Sequence, residues 1–252
     1  MEPTEFGLLV LEKAEAIFLA QEEILEATQN AKYIGTVSVN CIPGIYERVL
    51  PEMLLVLQKV RTGIQLSVTT AESREIARNI SSGYSEFGIA IKGTYLSDFH
   101  DLQFHSLFQD EYYLYVGQKS PLWNETSVTC EQVCQQRYIA YRDEFRRENG
   151  GLTDVFGRDS CLNIVFRTDD LDSMKQMIAR EDYVAFFPKF MAAGDFYLEQ
   201  QLIRQIPVAD RDMTFEVGYL ESRKYRLSAL DKAVVDALKQ TVIRLLEQET
   251  DI

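Results

Sequence analysis

From Thr36 onward the chain alternates short strand-like and helix-like runs, twice over, and this order restricts it to an α/β architecture with parallel sheet. Thr36-Val37-Ser38-Val39-Asn40 is apolar at every second position, as a half-buried strand requires. Pro43-Gly44 then turns the chain into a helical run through Tyr46, Leu50, Leu54 and Leu57, with Pro51 expected to kink or restart it because proline lacks an N–H. A strand carrying Ile64, Leu66 and Val68, a helix carrying Ile76, Ala77 and Ile80, a stop at Gly83 and a strand from Phe87 to Ile91 complete the first set.

The second set has strands at Tyr112 to Val116, Tyr138 to Tyr141, Asn163 to Arg167 and Tyr183 to Phe187. Helices are expected at Cys130 to Gln136, Leu152 to Phe156 and Leu171 to Ala179. A return through Ile203 to Val208 and Thr214 to Leu220 leads to a long final helix, Leu227 to Leu246, with Leu230, Val234, Leu238, Thr241 and Leu245 on one face. Two similar sets without a Gly/Ser or Pro-rich linker predict two lobes joined by short crossovers.

The 252 residues, 46% of them apolar, suffice for a large core. A net charge of -13 argues against tight nucleic-acid binding by this surface, which needs clustered Lys and Arg. No run approaches the length of a membrane span, and the acidic first residues lack the basic-then-apolar order of a secretory signal, so a cytoplasmic protein is expected. Cys41, Cys130, Cys134 and Cys161 fit a reducing compartment and are expected to act as buried small apolar residues. Cys130 and Cys134 share a helix face, but no second pair or nearby histidine completes a metal site, and no cofactor is implied.

Before the alternation begins, Thr4 to about Lys32 reads as one acidic amphipathic helix. Val10, Ile17, Ile24 and Ala31 recur every seven residues, flanked by Leu11, Phe18 and Leu25. That period favours a packed helix seam, and at about 1.5 Å per residue the run makes a rod on the order of 40 Å long.

In open parallel sheets, ligands gather beyond the carboxyl ends of the strands, where helix N-termini present free N–H groups. Three such ends are legible: Asn40 to Gly44, Thr69 to Ser73, and Thr168-Asp169-Asp170. Taken singly, Thr70, Ser73 and Asp169 are ordinary helix caps; taken together, from both sets, they describe a shared cleft.

At these residues the sequence resembles the LysR-type transcriptional regulators. The resemblance rests on Thr4-Glu5-Phe6-Gly7-Leu8-Leu9, Gly35-Thr36-Val37-Ser38-Val39, Val49 to Leu54, Ile80-Ser81-Ser82-Gly83 before Phe87-Gly88-Ile89-Ala90, Ser120-Pro121-Leu122, and Arg167 to Asp170 through Val184 to Pro188. It implies a two-lobed, type II periplasmic-binding-protein-like regulatory domain preceded by a long linker helix. Residues 1–33 would be the dimerising linker, 34–106 with 212–252 the first lobe, and 107–211 the second. By position the effector contacts fall on Gly44, Thr70, Ser73, Thr168 and Asp169. The implied partners are a small effector, such as an amino acid or small carboxylate, a second copy in a dimer or tetramer, and promoter DNA held only by an N-terminal winged helix-turn-helix outside this sequence.

Some positions depart from the family pattern. Gly44 lacks the hydroxyl often found there, leaving backbone N–H donation. Arg180-Glu181-Asp182 replaces a small turn and is expected to make the cleft edge near Phe186 bulkier and more acidic. The cysteine pair of the peroxide-sensing branch is missing from Glu144 to Thr153. A solute-binding component of a transport system would share the lobed fold, but the acidic seven-residue repeat speaks against it. No nucleophile elbow or phosphate loop supports an enzyme, and the two histidines, His100 and His105, fall in an expected connecting segment.

Overall fold

The computed structural model describes residues 35–60, 63–142 and 161–250, together with positions 4, 13, 14, 17, 18 and 152. Most of the expected N-terminal helix and most of the expected Leu152–Phe156 helix therefore lie outside the described residues.

The first set folds as read. Strand β1 (Gly35–Cys41) lies between β2 (Ile64–Thr70) and β3 (Phe87–Ile91), parallel to both. Alternation decides which face each residue covers. Val37, Val39 and Ile89 pack with Val49 and Met53 of α1 (Pro43–Val60) and Val234 and Leu238 of α6 (Ala229–Thr250), while Ala90 meets Ile76 and Ile80 of α2 (Ser73–Ser81) on the other side. Pro51 does not break α1, which runs unbroken through it. The missing N–H costs one ladder bond, while Val49, Leu50, Met53 and Leu57 stay buried along the same core face.

The second set forms the other lobe. Strands β5 (Arg137–Tyr141), β6 (Asn163–Thr168) and β7 (Tyr183–Pro188) are parallel. Leu171, Met174 and Ile178 of α4 (Leu171–Arg180) cover one sheet face, and Val133 of the short α3 (Cys130–Cys134) covers the other.

One strand serves both lobes. β4 (Leu102–Gly117) pairs with β9 (Thr214–Ser222) over Leu102 to Glu111, then with β7 and β8 (Ile203–Ile206) over Tyr112 to Gly117. The strand expected from Tyr112 thus begins ten residues earlier, and His105 lies in sheet rather than in a connector. Its signal was blurred by a register shift between Ser106 and Phe108, which interrupts the alternation. The described strands run in the order β2-β1-β3-β9-β4-β7-β5-β6, with β8 on β4.

The cysteines depart from expectation. Cys41 and Cys130 are buried and free, but Cys134 is disulfide-bonded to Cys161, with Cα atoms 5.3 Å apart. Cys134 ends α3 just before β5, and Cys161 sits just before β6. Because β5 and β6 are parallel neighbours, their starts bring together two cysteines that are 27 residues apart in sequence.

Candidate functional site

The two lobes meet where α1 lies against the turn after β7 and reaches α4. Gly44 is the second residue of α1, and a Cβ built on it would lie 3.0 Å from the Met191 sulfur, in the 3₁₀ turn Lys189–Met191 after β7. One turn further, Glu47 of α1 reaches Lys175 of α4 across the lobes at 3.7 Å. Arg48 lies 4.0 Å from the centre of the Phe190 ring, and Phe190 itself packs into the first lobe's core against Phe108. The N–H of Phe190 donates to both carboxylate oxygens of Asp110 on β4, at 3.2 and 3.1 Å. The short turn after β7 is thus anchored beside the point where β4 passes from one lobe to the other.

Between the lobes lies a cavity of about 540 Å³, lined by Glu47, Arg48, Asp172, Lys175, Asp195 and Tyr197 among others. Lys175, 7% exposed, makes a 2.7 Å ion pair with Asp195. Asp195 also accepts the N–H groups of Tyr197 and Leu198, capping α5 (Phe196–Glu199). Asp172 accepts from the Tyr197 hydroxyl at 3.0 Å and from Gln176 at 2.8 Å. Burial holds the Glu47 carboxyl above the ordinary carboxylate range, and the nearby Lys175 cation pulls it part of the way back. Acid and base together give the cavity an amphoteric wall.

The residues expected from strand ends occupy three places. Thr70 closes β2 beside Cys41, whose carbonyl accepts the Ala71 N–H, so the first two strand ends are adjacent. Ser73 is 4% exposed, and its hydroxyl accepts the Ile91 N–H at 3.0 Å, so it secures the start of α2 to β3. Thr168 ends β6; its carbonyl accepts the Arg142 N–H and its hydroxyl the Asp170 N–H. Asp169 is paired with the Arg142 guanidinium at 2.8 Å, which offsets its charge. Asp170 caps α4 through the Ser173 N–H and hydroxyl, and those donors hold its carboxyl below the usual range.

None of the five expected residues lines the cavity, which sits one helical turn deeper along α1 and α4. Lys175 had a legible signal, being a lysine on the stripe Leu171, Met174, Lys175, Ile178 that α4 buries. Asp195 had only a weak one, an acidic cap after Gly194. The expected effect of Arg180-Glu181-Asp182 on the cleft is corrected. Glu181 pairs with Lys119 and Asp182 with Arg137, at the starts of β5 and β7, the opposite strand ends from Thr168 and Pro188. Among the described residues, no group of three or more His, Cys, Asp or Glu side chains is placed to hold a metal, and no helix is long and apolar enough to cross a membrane.

Two lobes sharing crossing strands, with a cavity between them, match a known architecture. Residues 30–242 match the family described as LysR substrate binding domain. The chain belongs to this LysR family. Solved structures share the fold at low sequence identity. The effector-binding domain of QuiR in complex with shikimate superposes with a TM-score of 0.68 at 15% identity, covering 84% of this chain and 98% of that one. A full-length OxyR variant from Pseudomonas aeruginosa gives 0.66 at 16% identity, covering 98% of this chain and 81% of that one. The C-terminal domain of a probable LysR family regulator from Rhodococcus sp. RHA1 gives 0.66 at 15%, covering 81% and 98%. No curated protein matches the sequence. The fold is thus that of the LysR substrate-binding domains.

Proposed function

We propose that this chain is the effector-sensing and oligomerisation region of a LysR-type regulator. A small molecule bound between the lobes favours one lobe arrangement and passes that preference to the linker and so to promoter DNA held by a winged helix-turn-helix. Residues 34–106 with 212–252 act as one lobe and 107–211 as the other. Residues 1–33 are the dimerising linker, and Ile17 and Phe18, helical and 68% and 66% exposed, support an apolar seam awaiting a second copy.

The observation that carries the reading is the approach of α1 and α4 across the inter-lobe cavity, where Glu47 reaches Lys175 at 3.7 Å. The ligand chemistry that fits is an amino acid or small carboxylate. Its carboxylate would meet the amides of Gly44 and Asp169 at the edge of the cavity, near Arg142, and an ammonium would meet Asp172 and Glu47 within it. The shikimate bound by QuiR is itself a small carboxylate. Thr70 and Asp169 border the entry, and Ser73 positions α2 rather than touching ligand.

A thermal-shift screen of amino acids and small carboxylic acids tests this. A stabilising ligand whose effect is lost in Thr168→Ala is expected. Failure of the whole panel would refute the small-carboxylate reading.

A further inference from the structure

The residues that close the first lobe's outer end form a second cavity, of about 510 Å³, that shares no lining residue with the inter-lobe one. Its floor is the β9 strand at Tyr219 and Glu221. One wall is the first half of α6, where Lys232, Asp236 and Lys239 recur at helical spacing, and the rim is the connection Arg223-Lys224-Tyr225-Arg226. The same helix lines the inter-lobe cavity with Leu245 and Gln248 near its other end.

The charge balance here is opposite to that of the chain. Arg223, Arg226, Lys232 and Lys239 meet only two carboxylates, Glu221 and Asp236, in a protein of net charge -13. Glu221 is engaged by His105 at 2.6 Å, and His105 in turn stacks on Tyr219 at 4.5 Å. Lys239 sits 5.2 Å from the centre of that same Tyr219 ring. Among the described residues, no ion pair engages Arg223, Arg226 or Lys232, although carboxylates outnumber cations across the chain. The neighbouring Lys224, by contrast, is paired with Asp101 at 2.9 Å. With a screening length of about 8 Å at physiological ionic strength, the distant carboxylates do little to cancel this local excess. Tyr225, 61% exposed, adds a bare ring at the rim.

We propose that this cavity is a second ligand site, for a small oxyanion carrying at least two negative charges. A concave surface with three unengaged cations favours such an ion over a monoanion, because each added charge finds its own partner. Two sources share this chemistry, phosphate monoesters and dicarboxylates.

Calorimetric titration of the full chain at low ionic strength with phenyl phosphate, inorganic phosphate, succinate and acetate tests the site. Saturable binding of phenyl phosphate or succinate is expected, with acetate at least tenfold weaker. Preference for the phosphates or for succinate identifies which source applies. The double variant R226E/K232E, both positions exposed, should weaken binding more than tenfold while melting at the wild-type temperature. Thr168→Ala, at the inter-lobe strand ends, should leave this binding unchanged, which separates the outcome from that of the effector cleft. Absence of saturable binding by either dianion, or equal binding by R226E/K232E, would overturn the proposal.

Discussion

Replacing Lys175 with Met would remove a buried cation while keeping a side chain of similar length. Lys175 and Asp195 are nearly closed to solvent and 2.7 Å apart, so the substitution strands a carboxylate in the interior. Removing one member of a buried pair costs about 3–5 kcal/mol. The Tyr197 and Leu198 N–H groups still donate to Asp195, which places the cost near the lower end, about 3 kcal/mol. For a chain of this size each kcal/mol shifts Tm by about 2–4 °C, so a fall of roughly 6–12 °C is expected, read by circular dichroism on heating. The double variant K175M/D195N removes both charges together and should melt above K175M alone. If K175M stays within about 0.5 kcal/mol of wild type, or if the two substitutions are additive, the pair is not the buried tie that the structure describes.

Four further outcomes follow from individual groups. Ser73→Ala leaves the half-buried Ile91 N–H without its acceptor and should cost about 1 kcal/mol in urea denaturation, with little change in ligand affinity. Because Glu47 is raised in the folded state, the native protein holds its proton more tightly than the unfolded chain. Stability should therefore decline as pH rises from the ordinary glutamate range through the folded value, and Glu47→Gln should flatten that decline in Tm measured against pH. The Cys134–Cys161 bond predicts two titratable thiols in the unreduced, denatured protein and four after reduction. Closing a loop of this length is worth about 3.5 kcal/mol in the chain-entropy description, so Cys161→Ser should melt lower under oxidising conditions only. Burial pushes the Cys41 thiol up to about 12, and it should resist alkylation until the chain unfolds.

The alternation of strands and helices was legible because each lobe buries its sheet on both faces, so apolar periodicity survives in the sequence. Val37 and Val39 against α1, and Leu171, Met174 and Ile178 against β5 and β7, repeat what the pattern alone indicates. Strand ends were readable for the same reason, which is why Thr70 and Thr168 fall at the C-terminal ends of β2 and β6, and Gly44 in the first turn of the helix that follows β1. Side-chain partners were not readable. Asp169, read singly as a helix cap, pairs with Arg142, 27 residues earlier, because β5–β6 pairing places them side by side. The same pairing unites Cys134 and Cys161, and no local spacing rule reveals it. Glu47 and Lys175 lie in different lobes, and their meeting depends on how the lobes pack, which periodicity does not encode.

The central claim is that one small ligand engages both lobes across the cavity between α1 and α4. Hydrogen exchange of the full chain, with and without the ligand found by thermal-shift screening, tests it most directly. Added protection in both Gly44 to Arg48 and Thr168 to Lys175 is the predicted result. Protection confined to one of these segments, or to the Arg223 to Lys239 region alone, would contradict the account.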